Sequence, residues 1–125
     1  MDIYNATEWE FKAALSSAQQ DHPIIAASTS PVDDLPDCIG ATFYLTTDDA
    51  SGFAVTNDGE LVGLFSTKPK REGDLIGWAV SRGARRLDCF DGYLTGFYGR
   101  HGWREVKRVP NWTPGGPDVV YMVWG

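Results

Sequence analysis

The segment 87–103, LDCFDGYLTGFYGRHGW, constrains the fold more than any other part of this chain. Its opening residues read as a short β-strand that ends at Asp91, a residue type that often caps the start of a helix. Apolar and aromatic side chains recur at i, i+3, i+4 and i+7 from Leu94 to His101, a spacing that predicts a helix with this face buried. Gly102 ends that helix where a C-terminal glycine is common, and an extended chain follows it.

Local signals place the other elements. Thr7 and Glu10 have the spacing of a capping box and begin a helix, and Pro23 prevents its continuation. The turn at 57–59, Asn-Asp-Gly, is typical of a tight hairpin, and Gly63 inside the next strand is typical of a bulge. The predicted elements are a strand over 2–5, a helix over 7–20, a loop over 28–40, strands over 41–46, 52–56 and 60–67, a helix over 73–82, a strand over 85–90, the helix described above, and strands over 104–109 and 119–124.

This order predicts an α/β fold of the α+β type. The three strands between 41 and 67 form an antiparallel meander. The helix over 73–82 then crosses over, so the strand over 85–90 is expected to pair in parallel with the strand over 60–67. We therefore expect a mixed sheet of about six to seven strands with three helices, in a single domain over 1–125.

The charge distribution is uneven. The net charge is −6 and the pI is about 4.7, yet every Lys and Arg except Lys12 lies between positions 68 and 108. This basic region favours a polyanionic ligand, although a solvated surface explains any single residue equally well. Because the chain as a whole is acidic, we do not expect it to bind nucleic acid.

The expected compartment of the protein and the expected state of its cysteines follow from features that the sequence does not contain. The sequence contains no apolar run as long as a membrane span and no signal peptide, so we expect a cytoplasmic protein that does not enter a membrane. Cys38 and Cys89 have no metal-like spacing and are expected to be free thiols, and His22 and His101 form no metal pattern. We therefore expect no metal.

The segment 87–103 resembles the C-terminal part of the GNAT superfamily of N-acetyltransferases. In that family a strand gives way to an Asn, a short helix carries a Leu-Tyr pair, and a Gly-aromatic pair opens the next strand. In this chain Asp91 stands at the Asn position and Tyr98 at the tyrosine, while Gly102 and Trp103 form the Gly-aromatic pair. The order of elements along the whole chain also resembles the compact GNAT fold, as in the small members found in bacteria and phages.

This resemblance implies where acetyl-CoA binds. In the family the cofactor lies where the third meander strand parts from its parallel neighbour, here 60–67 and 85–90, and the bulge at Gly63 would open that gap. The pantetheine arm pairs with the strand backbone, and the diphosphate rests on the amides that open the next helix. The implied cofactor-binding residues are Phe65, Ser66, Thr67, Lys70, Arg71, Gly73 and Asp91.

The diphosphate loop departs from the family pattern. That pattern is Arg or Gln, two variable residues, Gly, one variable residue, and Gly or Ala. This chain has Arg71-Glu72-Gly73-Asp74 there, with a single loop glycine and two acidic residues that disfavour phosphate. A weakened or lost cofactor site is therefore an open alternative.

Tyr98 is the candidate catalytic residue. The resemblance implies that its phenol donates a proton to the departing CoA thiolate after an amine attacks the thioester directly in a ternary complex. The alternative is that Tyr98 only packs on the apolar face of its helix. No general base is evident: Asp88, Glu10 or Glu60 could act through a water molecule, yet each is better explained as a surface acid. The implied function is N-acetyl transfer to an unidentified amine on a small molecule or protein, and its rival is a non-catalytic module that binds a protein partner.

Overall fold

The computed structural model describes residues 2–29 and 40–125, which form two compact units, Met1–Ala84 and Arg85–Gly125. We call them the N-terminal and the C-terminal unit. The N-terminal unit contains β1 (Ile3–Ala6), α1 (Glu8–Asp21), α2 (Pro23–Ser28), β2 (Thr42–Thr46), β3 (Ser51–Val55), β4 (Leu61–Ser66) and α3 (Glu72–Ser81). The C-terminal unit contains β5 (Arg86–Phe90), α4 (Tyr93–Arg100), β6 (Trp103–Val109) and β7 (Val119–Trp124). The prediction of a single domain stays a prediction.

The sheet of the N-terminal unit has the strand order β1-β2-β3-β4, and every neighbouring pair is antiparallel. The predicted hairpin between β3 and β4 is confirmed. Gly59 adopts a φ of 91° and donates its amide to the carbonyl of Thr56 at 3.0 Å. The meander over 41–67 therefore forms as the sequence predicted.

The bulge predicted at Gly63 is also present. Two residue steps along β3, from Gly52 to Ala54, face three steps along β4, from Val62 to Phe65. Gly63 takes the extra place with a φ of 64°, a conformation that residues with a Cβ rarely adopt. The bulge fixes the register of the last part of β4 against the start of β3.

Helix α1 covers this sheet because its apolar side chains share one face. Thr7 caps the helix by accepting from the Glu10 amide at 3.1 Å, and the Glu10 side chain accepts from the Thr7 amide at 2.9 Å. Phe11 and Leu15 are fully buried, and the Phe11 ring packs 5.3 Å from that of Phe43. Burying one such side chain is worth roughly 1.5–3 kcal/mol, so this face anchors α1.

The number of helices differs from the prediction, since the described residues contain four rather than three. Pro23 does end α1, but it also begins the short helix α2 as its first residue. A proline is tolerated there because its missing N–H would lack a helical partner in any case. Most of the loop predicted over 28–40 lies outside the described residues.

The C-terminal unit has a second sheet with the order β5-β7-β6, again antiparallel. Helix α4 forms where predicted and buries Phe97 and Tyr98, while His101 is exposed, contrary to the predicted face. Asp91 does not cap this helix. Gly92 is the N-cap, with a φ of 139°, and Asp91 lies one residue earlier.

The predicted fold of the α+β type is confirmed, but the predicted parallel pairing of β4 with β5 is not present among the described residues. In the described residues β4 pairs with β3 and β5 pairs with β7, so the seven strands form two antiparallel sheets and not one mixed sheet. The crossover rule constrains how a strand runs after a helix, but it does not make two strands share hydrogen bonds. None of the helices in the described part of the chain has the length and apolar character that a membrane crossing needs.

Candidate active site

At the end of β4, the groups available to a ligand are backbone amides and carbonyls rather than side chains. Phe65 is buried in the core, and Thr67 donates both its amide and its hydroxyl to the carbonyl of Ala50, at 2.8 and 3.0 Å. In an antiparallel pair, the backbone groups of successive residues point alternately toward the partner strand and away from it. Since Thr67 bonds to Ala50, next to β3, the amide and carbonyl of the preceding Ser66 point away from β3. β4 is an edge strand of its sheet, so Ser66 presents hydrogen-bonding groups along that edge.

The Ser66 side chain is used within the N-terminal unit. Its Oγ lies 2.9 Å from Ser51 Oγ and accepts from the Lys68 amide at 3.1 Å. These contacts fix the residue from which the chain leaves β4. Ser66 can therefore act toward a ligand through its backbone while its side chain holds the strand end in place.

The loop after β4 leads into the start of α3. Lys70 is exposed and has a φ of 65°, which is uncommon for a residue with a side chain. Gly73 is the second residue of α3 and is also exposed. The amides of the first helical turn have no intrahelical acceptor, so together with the helix dipole they favour an anion.

Arg71, whose contact with the diphosphate stays a prediction, makes an ion pair with Asp48. Its Nη2 lies 2.7 Å from Asp48 Oδ2 and its Nη1 lies 3.0 Å from Asp48 Oδ1. Asp48 also accepts from the Thr46 hydroxyl at 2.7 Å and from the Ala50 amide at 3.1 Å. The Arg71 guanidinium first, and these donors next, hold the pKa of the Asp48 carboxyl well below its usual range. A ligand phosphate therefore meets an arginine whose charge is already neutralised.

Asp48 is a residue that the sequence did not single out. A signal was present, because an aspartate in the turn at 46–51 commonly accepts from the backbone two residues later. That signal predicts the contact with Ala50. It does not identify Arg71 as a partner, since the two are far apart in the sequence.

A cavity of about 660 Å³ lies in the N-terminal unit between α1, the turn after β2 and the residues that follow β4. Four acidic residues line it, with Lys68 as the single lysine and with Trp9, whose side chain is 78% exposed; the acidic residues are Glu10, Asp21, Asp48 and Asp49. The carboxylates disfavour an anionic occupant. This cavity is therefore unsuited to the diphosphate of a cofactor.

Tyr98 is buried in the C-terminal unit and is 7% exposed. Its ring packs edge-on against Phe97, with centroids 5.2 Å apart, and against Trp103 at 6.0 Å. Burial, and then the neighbouring Cys89, raises the pKa of the phenol well above its usual value. Its hydroxyl has no hydrogen-bond partner among the described residues. Tyr98 is thus a protonated donor at neutral pH, and no described residue accepts from it.

The Asp91 carboxylate is engaged by an arginine. Its Oδ2 lies 2.6 Å from Arg108 Nη1, and this hydrogen bond lowers the pKa of Asp91. The amide of Asp91 donates to the carbonyl of Asp118 at 2.8 Å. Its contact with a cofactor stays a prediction, and its observed role is to join elements of the C-terminal unit.

Other titratable groups add no nucleophile. Burial first, then the charges of Asp88 and Asp91, raises the pKa of the Cys89 thiol to about 11, so it is not a thiolate at neutral pH. His101 packs on the ring of Phe97 at 4.8 Å. Within residues 2–29 and 40–125, no three metal-ligating side chains come together, and Cys38 lies outside these ranges. The general base stays open among Asp88, Glu10 and Glu60.

The chain matches no protein-family model and no curated protein sequence. Its fold is similar to those of solved N-acetyltransferases. The aminoglycoside 6'-N-acetyltransferase from Enterococcus faecium is 15% identical and superposes with a TM-score of 0.67, over 99% of this chain and 96% of that chain. The Salmonella typhimurium acetyl transferase that modifies the N-terminal serine of ribosomal protein L7/L12 is 15% identical with a TM-score of 0.60, over 97% and 91% of the two chains.

A third solved structure contains the cofactor. An acetyltransferase from Bacillus subtilis in complex with CoA is 15% identical to this chain, with a TM-score of 0.55 over 98% of this chain and 96% of that chain. At such identities the similarity establishes the fold. The acceptors named for the first two proteins differ in kind, so the fold does not specify an acceptor.

Proposed function

We propose, from the GNAT fold of this chain, that it is an N-acetyltransferase that moves the acetyl group of acetyl-CoA to an amine. The observation that supports this best is Tyr98, whose ring is buried while its hydroxyl keeps some solvent access and has no hydrogen-bond partner among the described residues. A phenol hydroxyl that reaches the surface from a buried ring, with no described residue accepting from it, is available to donate to a ligand.

The proposed reaction is a direct transfer. The amine nitrogen attacks the thioester carbonyl carbon, the new C–N bond forms, and the C–S bond breaks. Tyr98 donates to the departing sulfur, because its raised pKa keeps the phenol protonated at neutral pH. An alkylamine with a pKa of ~10.4 loses one proton before it attacks, to a base that stays open, and a second after the attack, which returns Tyr98 to its phenol form.

The N-terminal unit supplies the proposed cofactor contacts. The backbone of Ser66 at the edge of β4 would pair with the pantetheine amides, with Phe65 and Thr67 anchoring the strand end. The amides at the start of α3, next to Gly73, and the Lys70 ammonium would hold the diphosphate. Arg71 would contribute by fixing the loop through Asp48 unless phosphate displaces that carboxylate. The CoA complex of the Bacillus subtilis protein supports acetyl-CoA as the cosubstrate.

A second function has a specific observation in its favour. Arg71 is neutralised by Asp48, and Glu72 and Asp74 add negative charge to the first turn of α3. Both features weaken a phosphate site. A GNAT-fold module that binds a protein partner without catalysis is therefore the rival, and cofactor binding distinguishes the two.

Calorimetric titration with acetyl-CoA tests the proposal. The proposal expects saturable binding that Lys70→Ala weakens about fivefold, the effect of one partly exposed charge contact of about 1 kcal/mol. Lys12→Ala is the matched control, since Lys12 lies on α1 near Glu8 and should bind as the unmodified chain does. Absence of binding at millimolar acetyl-CoA would favour the non-catalytic module.

Tyr98→Phe tests the catalytic role. Removing a proton donor to the leaving group typically lowers kcat by about 10²–10⁴-fold, with little change in the KM for acetyl-CoA. Tyr93→Phe on the same helix is the control, because Tyr93 is 74% exposed and no reaction step uses it. Full turnover by a folded Tyr98→Phe enzyme would assign this residue to packing.

A further inference from the structure

Arg108 of β6 joins three carboxylates from three parts of the C-terminal unit. Its Nη1 lies 2.6 Å from Asp91 Oδ2 and 3.4 Å from Asp118 Oδ2, and its Nη2 lies 2.7 Å from Glu105 Oε1. Asp91 precedes α4, Glu105 belongs to β6, and Asp118 precedes β7. One guanidinium therefore connects the start of α4 to the strands beside it. Without it, three like charges would face one another.

Asp91 also contacts the first turn of α4. Its Oδ1 lies 3.2 Å from the hydroxyl oxygen of Thr95, whose single proton is shared between this carboxylate and the carbonyl of Gly92 at 2.8 Å. Thr95 is in the first turn of α4, three residues before Tyr98. A helical turn is rigid, so a shift of Asp91 moves the helix start and with it the Tyr98 ring.

The helix start needs such an external contact. Its N-cap is Gly92, which has no side chain to accept from the first helical amides and which is the most flexible residue type. Arg108 and its partners are each more than a third exposed, so these ion pairs add little to stability. These ion pairs therefore fix the position of Asp91 and the start of α4 more than they stabilise the fold.

We propose that Arg108 is a positioning residue that sets the place of the Tyr98 hydroxyl through Asp91, Thr95 and the first turn of α4. This inference rests on the proposed function, in which Tyr98 donates to the leaving sulfur. Misplacing a reacting group by an ångström can cost about a hundredfold in rate. A partial release of α4 is therefore expected to lower kcat on the order of tenfold while leaving the KM for acetyl-CoA unchanged.

The test combines kinetics with a direct report on the ring. The variants are Arg108→Met, Arg108→Lys and, as a control for lost charge on the same strand, Arg104→Met. The chain is labelled with ¹³Cζ-tyrosine, and the Tyr98 signal is assigned by its loss in Tyr98→Phe. Acetyl transfer from acetyl-CoA is measured with a panel of primary alkylamines, for the single variants and for Arg108→Met combined with Tyr98→Phe.

The proposal expects Arg108→Met to shift and broaden the Tyr98 signal and to lower kcat, with Arg108→Lys intermediate and Arg104→Met unchanged. In the Tyr98→Phe background, Arg108→Met should cause no further loss, because both changes remove the same step. Equal signals in Arg108→Met and Arg104→Met, or losses that multiply in the double variant, would overturn it. If the unmodified chain transfers no acetyl group, the proposed function fails, and the Tyr98 signal still decides whether Arg108 positions that ring.

Discussion

Gly63→Ala should destabilise the N-terminal unit through two effects that the bulge makes calculable. A residue with a Cβ at a φ of 64° costs roughly 1–2 kcal/mol. The new Cβ would lie 3.1 Å from Phe11 Cζ and 3.3 Å from its Cε2. Phe11 is fully buried beside Phe43 and Phe65 and has little room to move, and overpacking of this kind costs about 1–3 kcal/mol. The lower entropy of the unfolded alanine chain returns about 0.4–1 kcal/mol. The expected net loss is about 1–4.5 kcal/mol.

Urea unfolding followed by circular dichroism measures this loss as a lower midpoint at an unchanged slope. The matched control is Gly77→Ala in α3, where the new Cβ meets nothing within 4 Å and alanine is the better helix former. The control should gain about 0.5–1 kcal/mol. The same substitution is thus expected to act with opposite signs at the two sites. A Gly63→Ala chain as stable as the unmodified one would refute the strained bulge.

Three further results are expected. Thr7→Ala should lower the unfolding free energy by about 1 kcal/mol in the same urea assay, because the first turn of α1 loses its cap. The depressed pKa of Asp48 implies stability that is full above its unfolded pKa of ~3.9 and lost as pH falls through the folded value. Urea midpoints between pH 6 and pH 3 should therefore fall more steeply in the unmodified chain than in Arg71→Met. In a Cys38→Ser chain, Cys89 should react slowly with iodoacetamide at pH 8, with a rate that rises toward pH 11. Urea midpoints that fall equally with pH in the unmodified and Arg71→Met chains would contradict the expectation for Asp48, and fast reaction at pH 8 would contradict the one for Cys89.

Local chemistry explains why most elements could be predicted. The capping box at Thr7, the turn at 57–59 and the bulge at Gly63 each depend on residues close in sequence, and each formed as expected. Pro23 shows the limit of such signals. The same fixed φ that stops one helix suits the first position of another, so the sequence alone did not reveal α2.

The contacts that define the candidate site join distant positions. Arg71 meets Asp48 across 23 residues, and Arg108 meets Asp91 across 17. A basic loop looks the same in sequence whether its arginine faces a ligand or a carboxylate of the same protein. The resemblance to the GNAT family located Tyr98 in its helix, but it did not reveal that none of the described residues accepts from the hydroxyl or that Arg108 connects to the start of that helix.

The most direct test of acetyl transfer is mass spectrometric detection of the product. The chain is incubated with acetyl-CoA carrying a ¹³C-labelled acetyl group and a panel of alkylamines, amino sugars and peptides, and labelled amide is followed over time. We expect at least one amine to gain the labelled acetyl group at a rate proportional to enzyme concentration, and Tyr98→Phe to slow this rate by about 10²-fold or more. Labelled product that forms no faster with the protein than without it, for every amine tested, would contradict acetyl transfer by this chain.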